Sequence, residues 1–426
     1  MTVNQMTRLG AGTAALCLAV VASAAQATEG YVALGFGPVQ RGQGGAGVAD
    51  PGSDAMASTI NPAAVAGLGH SLSFGAEVFM PDRGYTGTGT QFVGAGSWRS
   101  GRDVFLIPNF AYNRPLANGA VLNFAAYGNG GMNTSYSAFA RSNPCPAGTP
   151  GTGVYCFGAA GVDLTQLFLS VTYAQKSGPL AWGIAPTLAV QGFKASGLGA
   201  FGGISSDPAN LTDRGRDYSY GIGLRAGLSY EVSPTLRLGL SGQTKINMTK
   251  FDNYAGLFEN GGDFDIPANI SAGVAWDATP ALTVMLDYQK IFYSGIPAIG
   301  NGATALPLGA VGGTGFGWDD VDVVKLGLAW AQNDRMTWRA GYAHASNPIG
   351  PEDVTLGILA PGVVTNHYTL GGSWAASDRD TVDFSVVYAP NVQVVGVEMT
   401  PQGPTPGQVG IDMNQFAVSI GWSRKF

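Results

Sequence analysis

Charge is scarce in this chain. Only 12% of its 426 residues are Asp, Glu, Lys or Arg, against roughly 25% in soluble domains. The net charge of -6 comes with no run of basic residues, so nucleic acid is not an expected partner. Histidine is nearly absent too: His70, His344 and His367 stand without ligand spacing, and neither G-x-S-x-G nor H-E-x-x-H occurs. No metal, no cofactor and no enzyme activity is expected from such a set. Beyond residue 27 no window of 18 residues is continuously apolar, which excludes a membrane-spanning helix. Of three cysteines, Cys17 lies in the first 27 residues, leaving Cys145 and Cys156 as one pair. In an oxidising compartment they would form a disulfide stapling one loop; two free thiols are the alternative.

What the sequence does hold begins with Arg8, an apolar run over 9–22, and the small residues Ala25-Gln26-Ala27. This is the layout of a cleaved signal peptide over 1–27, with the mature chain starting near Thr28. The alternative, an anchor helix, would need roughly 20 apolar residues, more than the run provides. The whole chain is 45% hydrophobic in composition, with Gly 65 and Pro 24, and beyond residue 27 these separate short apolar segments, which argues for many strands and turns.

Those segments alternate with period two. In 281–288, Leu282, Val284, Leu286 and Tyr288 oppose Thr283, Met285 and Asp287, and 335–342 and 381–388 repeat the rhythm. One such strand fits a half-buried soluble sandwich as well as a lipid-facing wall. The connections discriminate. Fourteen candidate strands fall at 70–80, 102–113, 119–128, 163–176, 181–192, 217–231, 235–245, 266–277, 281–292, 320–332, 335–344, 364–376, 379–389 and 414–426. Tight turns such as 177–180, 232–234 and 333–334 alternate with long stretches at 81–101, 129–162, 193–216, 246–265, 293–319, 345–363 and 390–413. Short turns on one rim and long loops on the other are the layout of an outer-membrane barrel of a Gram-negative bacterium. The expected fold is therefore all-β: a fourteen-stranded antiparallel transmembrane barrel over 70–426. Its lumen is too wide for wall side chains to fill, so the stretch 28–69 is expected to form a small, mostly helical hatch that plugs it.

Within that stretch, Gly42-Gln43-Gly44-Gly45-Ala46-Gly47 matches a dinucleotide-binding pattern by letter. It lacks the strand and helix that give the pattern meaning, and glycines that let a crowded backbone turn are the plainer reading. Asp50 and Asp54 could pass for a carboxylate pair, but Ser53 or Asp54 also suits the N-cap of a helix over 55–59. In Asn61-Pro62-Ala63 the proline restricts its predecessor as well as itself and makes a rigid turn.

The run from Arg41 to Gly45, then Val48-Ala49-Asp50, Asp54-Ala55 and Asn61-Pro62-Ala63-Ala64-Val65-Ala66-Gly67-Leu68, resembles the hatch of the FadL family. The resemblance continues at Ile107-Pro108-Asn109, Tyr127-Gly128 and Ile266-Pro267-Ala268, and the terminal Phe426 resembles the signal read by the barrel assembly machinery. It implies passive uptake of long-chain fatty acids or other hydrophobic compounds by a protein set in outer-membrane lipid and lipopolysaccharide, and a monomer. It also implies a capture groove between the third and fourth long loops and a kink in the third strand that opens the wall sideways. By motif match, Asn61, Pro62 and Ala63 would be the hatch segment near that opening, and Tyr127 and Gly128 would lie at the kink.

Independently of the resemblance, Phe193, Leu198 and Phe201 fall in the third long stretch, and Phe251, Tyr254, Leu257 and Phe258 follow helical spacing in the fourth. Outside a membrane such a patch marks an interaction site or loops packing on one another. Lys194 is the only candidate to hold a ligand carboxylate, since the approach 315–320 offers acids and no base. The rival functions are a general or solute-selective porin, which predicts an open polar lumen, and an outer-membrane enzyme or adhesin. Deleting 61–63 is expected to abolish uptake of a hydrophobic substrate while the barrel still assembles; normal uptake by that variant would remove the gating role.

Overall fold

The computed structural model describes residues 29–302 and 306–426; the expected signal peptide lies outside them. Its strands are β1 (Ser71–Thr88), β2 (Gly96–Arg99), β3 (Phe105–Pro115), β4 (Val121–Asn133), β5 (Gly161–Ser177), β6 (Leu180–Ser196), β7 (Asp217–Ser233), β8 (Leu236–Gln243), β9 (Asn269–Thr279), β10 (Leu282–Ile291), β11 (Val321–Asn333), β12 (Met336–Ala345), β13 (Asn366–Ala375), β14 (Asp380–Thr400) and β15 (Gly403–Lys425). Leaving β2 aside, each pairs antiparallel with the strands before and after it, β1 with β3 included, and β15 closes on β1 from Ser71↔Lys425 to Thr88↔Gln408. Short β2 pairs with β1 alone, so the closed wall has the fourteen strands expected.

Alternation divides the wall. Leu286 and Tyr288 are 52% and 44% exposed, whereas Met285 and Asp287, which alternate with them, are buried. Phe416, Val418 and Ile420 of β15 likewise face outward, opposite buried Ala417 and Ser419. Outward aromatic side chains sort by height. Trp182, Trp276, Trp330, Trp338, Trp374 and Trp422 stand near the short-turn ends of their strands, and Tyr218, Tyr220, Tyr288 and Tyr368 near the loop ends. Two aromatic girdles bounding an apolar band are what a bilayer selects.

One expected loop is largely strand. Residues 390–413 extend β14 and β15 into a hairpin beyond the wall, with irregular pairing at Ala389/Val392 and Val397/Met399. The β-branched run Val392, Val394, Val395 and Val397 favours extended backbone, while the prolines and glycines that suggested a loop cluster around the tip. Glu398, fully buried in this hairpin, accepts hydrogen bonds from the backbone N–H groups of Gln91, Phe92 and Val93 at 2.8, 2.9 and 2.6 Å. Cys145 and Cys156 are disulfide-bonded within the loop between β4 and β5.

Residues 29–69 fill the lumen. Their helical parts are α1 (Pro38–Gly42) and two 3-10 turns, Ala55–Thr59 and Pro62–Val65. Asp54 takes the N-cap position of the first turn, but its side chain accepts from Gln40 Nε2 at 2.9 Å instead of capping. Gly45 has φ +73°, and a Cβ there would stand 1.8 Å from the Leu34 carbonyl oxygen, so the glycine run does serve tight turning.

Charged side chains on the inner wall fasten this hatch. Arg41 Nη2 meets Glu77 of β1 at 2.7 Å with both side chains almost fully buried, and Lys325 of β11 meets Glu29 at 2.8 Å. Asp287 of β10 accepts from the N–H groups of Gly47 and Val48 at 2.7 and 2.9 Å. Removing one partner of a buried pair costs about 3–5 kcal/mol because the other charge stays behind. Arg41→Met is therefore expected to loosen the hatch without dissolving the wall. Limited proteolysis should cut within 29–69 while the heat-modifiable barrel band persists on a gel; a hatch as resistant as the unmodified one would contradict this role for the pair.

Candidate functional site

The ladder between β3 and β4 breaks off near the loop side. β3 pairs with β4 from Pro115↔Val121 only as far as Asn109↔Tyr127. Beyond Tyr127, β4 stays with β5 through a register shift between Gly128 and Gly130, and β3 stays with β1 up to Phe79↔Phe105. Pro108, which has no N–H to donate, is the first β3 residue past the shared ladder, a position where sheets tolerate proline.

Hatch backbone takes up the hydrogen bonds that β3 leaves free. Gly131 N–H donates to Tyr31 O at 3.2 Å, and Ala33 N–H donates to Asn129 O at 3.1 Å. A Cβ on Gly130 would lie 1.9 Å from Tyr31 O, so only glycine admits this approach. The opposite side of the same hatch segment is held by Tyr293, whose hydroxyl accepts from Tyr31 N–H and Val32 N–H at 3.1 and 3.2 Å and donates to Glu29 O at 2.6 Å. Below the break, Tyr127 packs on Phe36 with ring centroids 4.5 Å apart and accepts from Arg225 Nη1 at 2.9 Å. Arg225 also donates to Thr59 O, linking the foot of the kink to the hatch turn before Asn61.

Above the hatch lies an apolar interior built by the loops. Phe193 packs on Phe258 at 4.7 Å, Phe258 on Phe264 at 4.7 Å, and Phe264 on Tyr31 at 6.4 Å, while Trp318 reaches Tyr31 at 6.1 Å. Contiguous rings thus run from the loops to the segment that seals the wall. Within this interior a cavity of about 30 Å³ is lined by Leu198, Phe201, Leu257, Phe258, Phe316 and Leu356 among others, none of them charged. Outside it an open cavity of about 310 Å³ shares Phe201, Leu308 and Leu356 with the inner one and adds Glu352 and Asp353 at its rim. Burial, with Glu352 and Asp319 nearby, pushes the Asp353 carboxyl up to about 7.

Several sequence expectations change here. Phe193 and Lys194 belong to β6, not to a loop. Strand alternation turns Lys194 outward, opposite buried Phe193, so the candidate base does not face the chamber. Phe251, Tyr254 and Phe258 do not share one helix: a 3-10 turn at Asp252–Tyr254 is followed by extended Phe258 and by Asn260 at φ 52°. They converge all the same, and are buried, not exposed. The third and fourth loops are closed over each other, and the open cavity lies among the third, fifth and sixth loops and the β14–β15 hairpin.

Tyr127 and Gly128 stand where β4 leaves β3, but Asn61, Pro62 and Ala63 do not meet that break. Asn61 Nδ2 donates to Val48 O at 2.6 Å and to Leu228 O of β7 at 3.0 Å, and Pro62 lies against Gly183 of β6. The hatch residues at the break are Tyr31, Val32 and Ala33. Arg225 escaped sequence reading, although the inward-facing series Ser219, Gly221, Gly223, Arg225, Gly227 shows one cation among small residues.

Over residues 167–422 the sequence matches the family described as outer membrane protein transport protein (OMPP1/FadL/TodX). No curated protein matches the chain. Among solved structures, the toluene transporter TodX of P. putida is 17% identical, with a TM-score of 0.65 over 92% of this chain and 99% of that one. The toluene transporter TbuX of Ralstonia pickettii is 20% identical, with a TM-score of 0.63 over 92% and 99%. A FadL homologue of Pseudomonas aeruginosa is 15% identical, with a TM-score of 0.67 over 93% and 100%. At these identities the likeness is one of fold.

The break and its seal generate a direct expectation. Gly130→Val would drive the side chain into Tyr31 O and expel the sealing segment, so single-channel recordings should show ion conductance well above that of the unmodified protein. A G130V protein with the same conductance as the unmodified one would mean that the hatch contact does not seal the wall.

Proposed function

The chain belongs to the OMPP1/FadL/TodX family of outer membrane transport proteins, and on that premise we propose that it takes up neutral hydrophobic molecules, single-ring aromatic hydrocarbons above all, and releases them sideways into the membrane. The observation that carries this reading is the broken β3–β4 ladder, sealed by Tyr31–Ala33 at the foot of an aromatic-lined interior.

Size supports the substrate class. A cavity of roughly 150 Å³ holds benzene; the outer cavity, at about 310 Å³, exceeds that, and the inner one, at about 30 Å³, falls well short. A ligand therefore waits outside and advances by displacing Phe201 and Leu356. Once inside, it exchanges water for Phe258 and Phe316, a gain proportional to the apolar area covered. Advancing to Tyr31, it competes with the contacts that hold the sealing segment. When that segment moves, the gap between β3 and β4 faces lipid, and the ligand leaves without crossing the polar lumen. The gradient from water into lipid drives every step, so no energy source is needed.

Charge points the same way. None of the described residues lining either cavity is basic, so a fatty-acid carboxylate would enter without a counter-charge, which burial makes costly. Cells producing the protein are expected to accumulate radiolabelled toluene several-fold faster than control cells, with oleate uptake unchanged, and planar bilayers should show no large steady conductance. Toluene uptake equal to the control overturns the reading; a large open-state conductance replaces it with a porin.

A further inference from the structure

Hydrocarbon transport makes no use of the two acids at the outer cavity. We propose that Glu352 and Asp353 form a charge filter at the mouth, turning away anionic hydrophobes such as aromatic and aliphatic carboxylates while passing neutral molecules of the same shape. The inference rests on the transport reading above and adds the rule by which its substrates are chosen.

Position is the first argument. Both acids line the same cavity as Phe201, Leu308 and Leu356, the side chains shared with the inner chamber. A ligand held in this cavity therefore lies beside them before it reaches the shared side chains. Acids on a loop are ordinarily just solvated, but these two border an otherwise mainly apolar opening, and no Lys or Arg lines it among the described residues. The fold also makes room for one of them. Gly317, at φ +72°, lies so close that a Cβ there would stand 2.1 Å from Asp353 Oδ1. A larger residue would push the carboxylate out of its place. Asp319 adds a third negative group within electrostatic reach.

The second argument is magnitude. Two like charges about 4 Å apart repel, even in bulk water, by an amount equivalent to about a five-fold change in occupancy, and by more where solvent is partly excluded. Two acids together suffice for a discrimination of roughly ten-fold or greater. A neutral ring carries no net charge for them to act on. Screening weakens the filter at high salt, since the Debye length shrinks to about 3 Å at 1 M.

Nitrobenzene and benzoate have nearly the same shape and differ in charge, which makes them suitable probes. Uptake of each, radiolabelled, is compared in control cells and in cells making equal heat-modifiable amounts of unmodified protein, of E352Q, or of the double variant E352Q/D353N. The unmodified protein should raise nitrobenzene uptake and leave benzoate near the control. The double variant should raise benzoate uptake about ten-fold, in keeping with the repulsion estimated above, and leave nitrobenzene within about two-fold, with E352Q between. Lowering the medium from about pH 8 to about pH 6 protonates Asp353, whose carboxyl sits near 7 beside Glu352 and Asp319, while benzoate, an ordinary carboxylate, stays ionised. The benzoate-to-nitrobenzene ratio should therefore rise with acid in the unmodified protein and less in the double variant. Benzoate uptake unchanged by the substitutions, or equal to nitrobenzene uptake in the unmodified protein, overturns the filter alone. No uptake of either probe by any form overturns the transport reading and the filter with it.

Discussion

Lipid offers no hydrogen bonds, and nearly every feature of this protein answers to that fact. A sheet can stand in a bilayer only if each backbone N–H and C=O finds a partner within it, which is why β15 returns to β1 over the full length of β1. The departure of β4 from β3 is the place where the wall fails its own condition. The hatch repairs it: Tyr31 and Ala33 supply the exchange with Asn129 and Gly131 that β3 does not. The plug is thus more than a filling for a wide lumen, because a short piece of it completes the wall.

The proposed route needs a hatch held firmly yet displaceable at one end. The firm part is electrostatic. Arg41 with Glu77, and Asp287 with the amides of Gly47 and Val48, anchor the middle of the segment to opposite parts of the wall. The displaceable end hangs on one phenol, one ion pair at Glu29 and two strand-like hydrogen bonds. Apolar rings approach it from above, so on the proposed route the weak end of the hatch is the one a hydrophobic molecule reaches. Arg225, bound to both Tyr127 and Thr59, ties the lower edge of the break to the anchored portion.

The architecture was legible because barrel sequences carry their geometry in two short-range signals, alternation and turn length. Leu286 against Asp287 needs only a period of two, and the turns between odd and even strands need only a few residues, so the strand count emerged without any three-dimensional information. What failed was long-range or one residue deep. Lys194 differs from Phe193 by a single position, yet a strand that continues past the membrane sends the two to opposite faces, and loop composition gave no warning that β6 would run on. The helical spacing of Phe251, Tyr254 and Phe258 was real as convergence and wrong as a helix, since loops can gather rings by other routes. Tyr31 could not have been singled out: its importance lies in a backbone oxygen, and every residue has one. Asn61 drew attention through its distinctive motif, although the structure gives it a fixed seat against β7 and β8.

A seal made from the protein's own chain has a consequence for the cell. Gram-negative bacteria depend on the outer membrane to keep out detergents and antibiotics, and any permanently open channel wears that protection down. On the proposed route the closing segment is part of the same chain, so the wall can close again by remaking its contacts with Asn129 and Gly131 after a molecule has passed. The number of copies a cell can install is then limited by membrane area and synthesis, not by what would seep through idle ones.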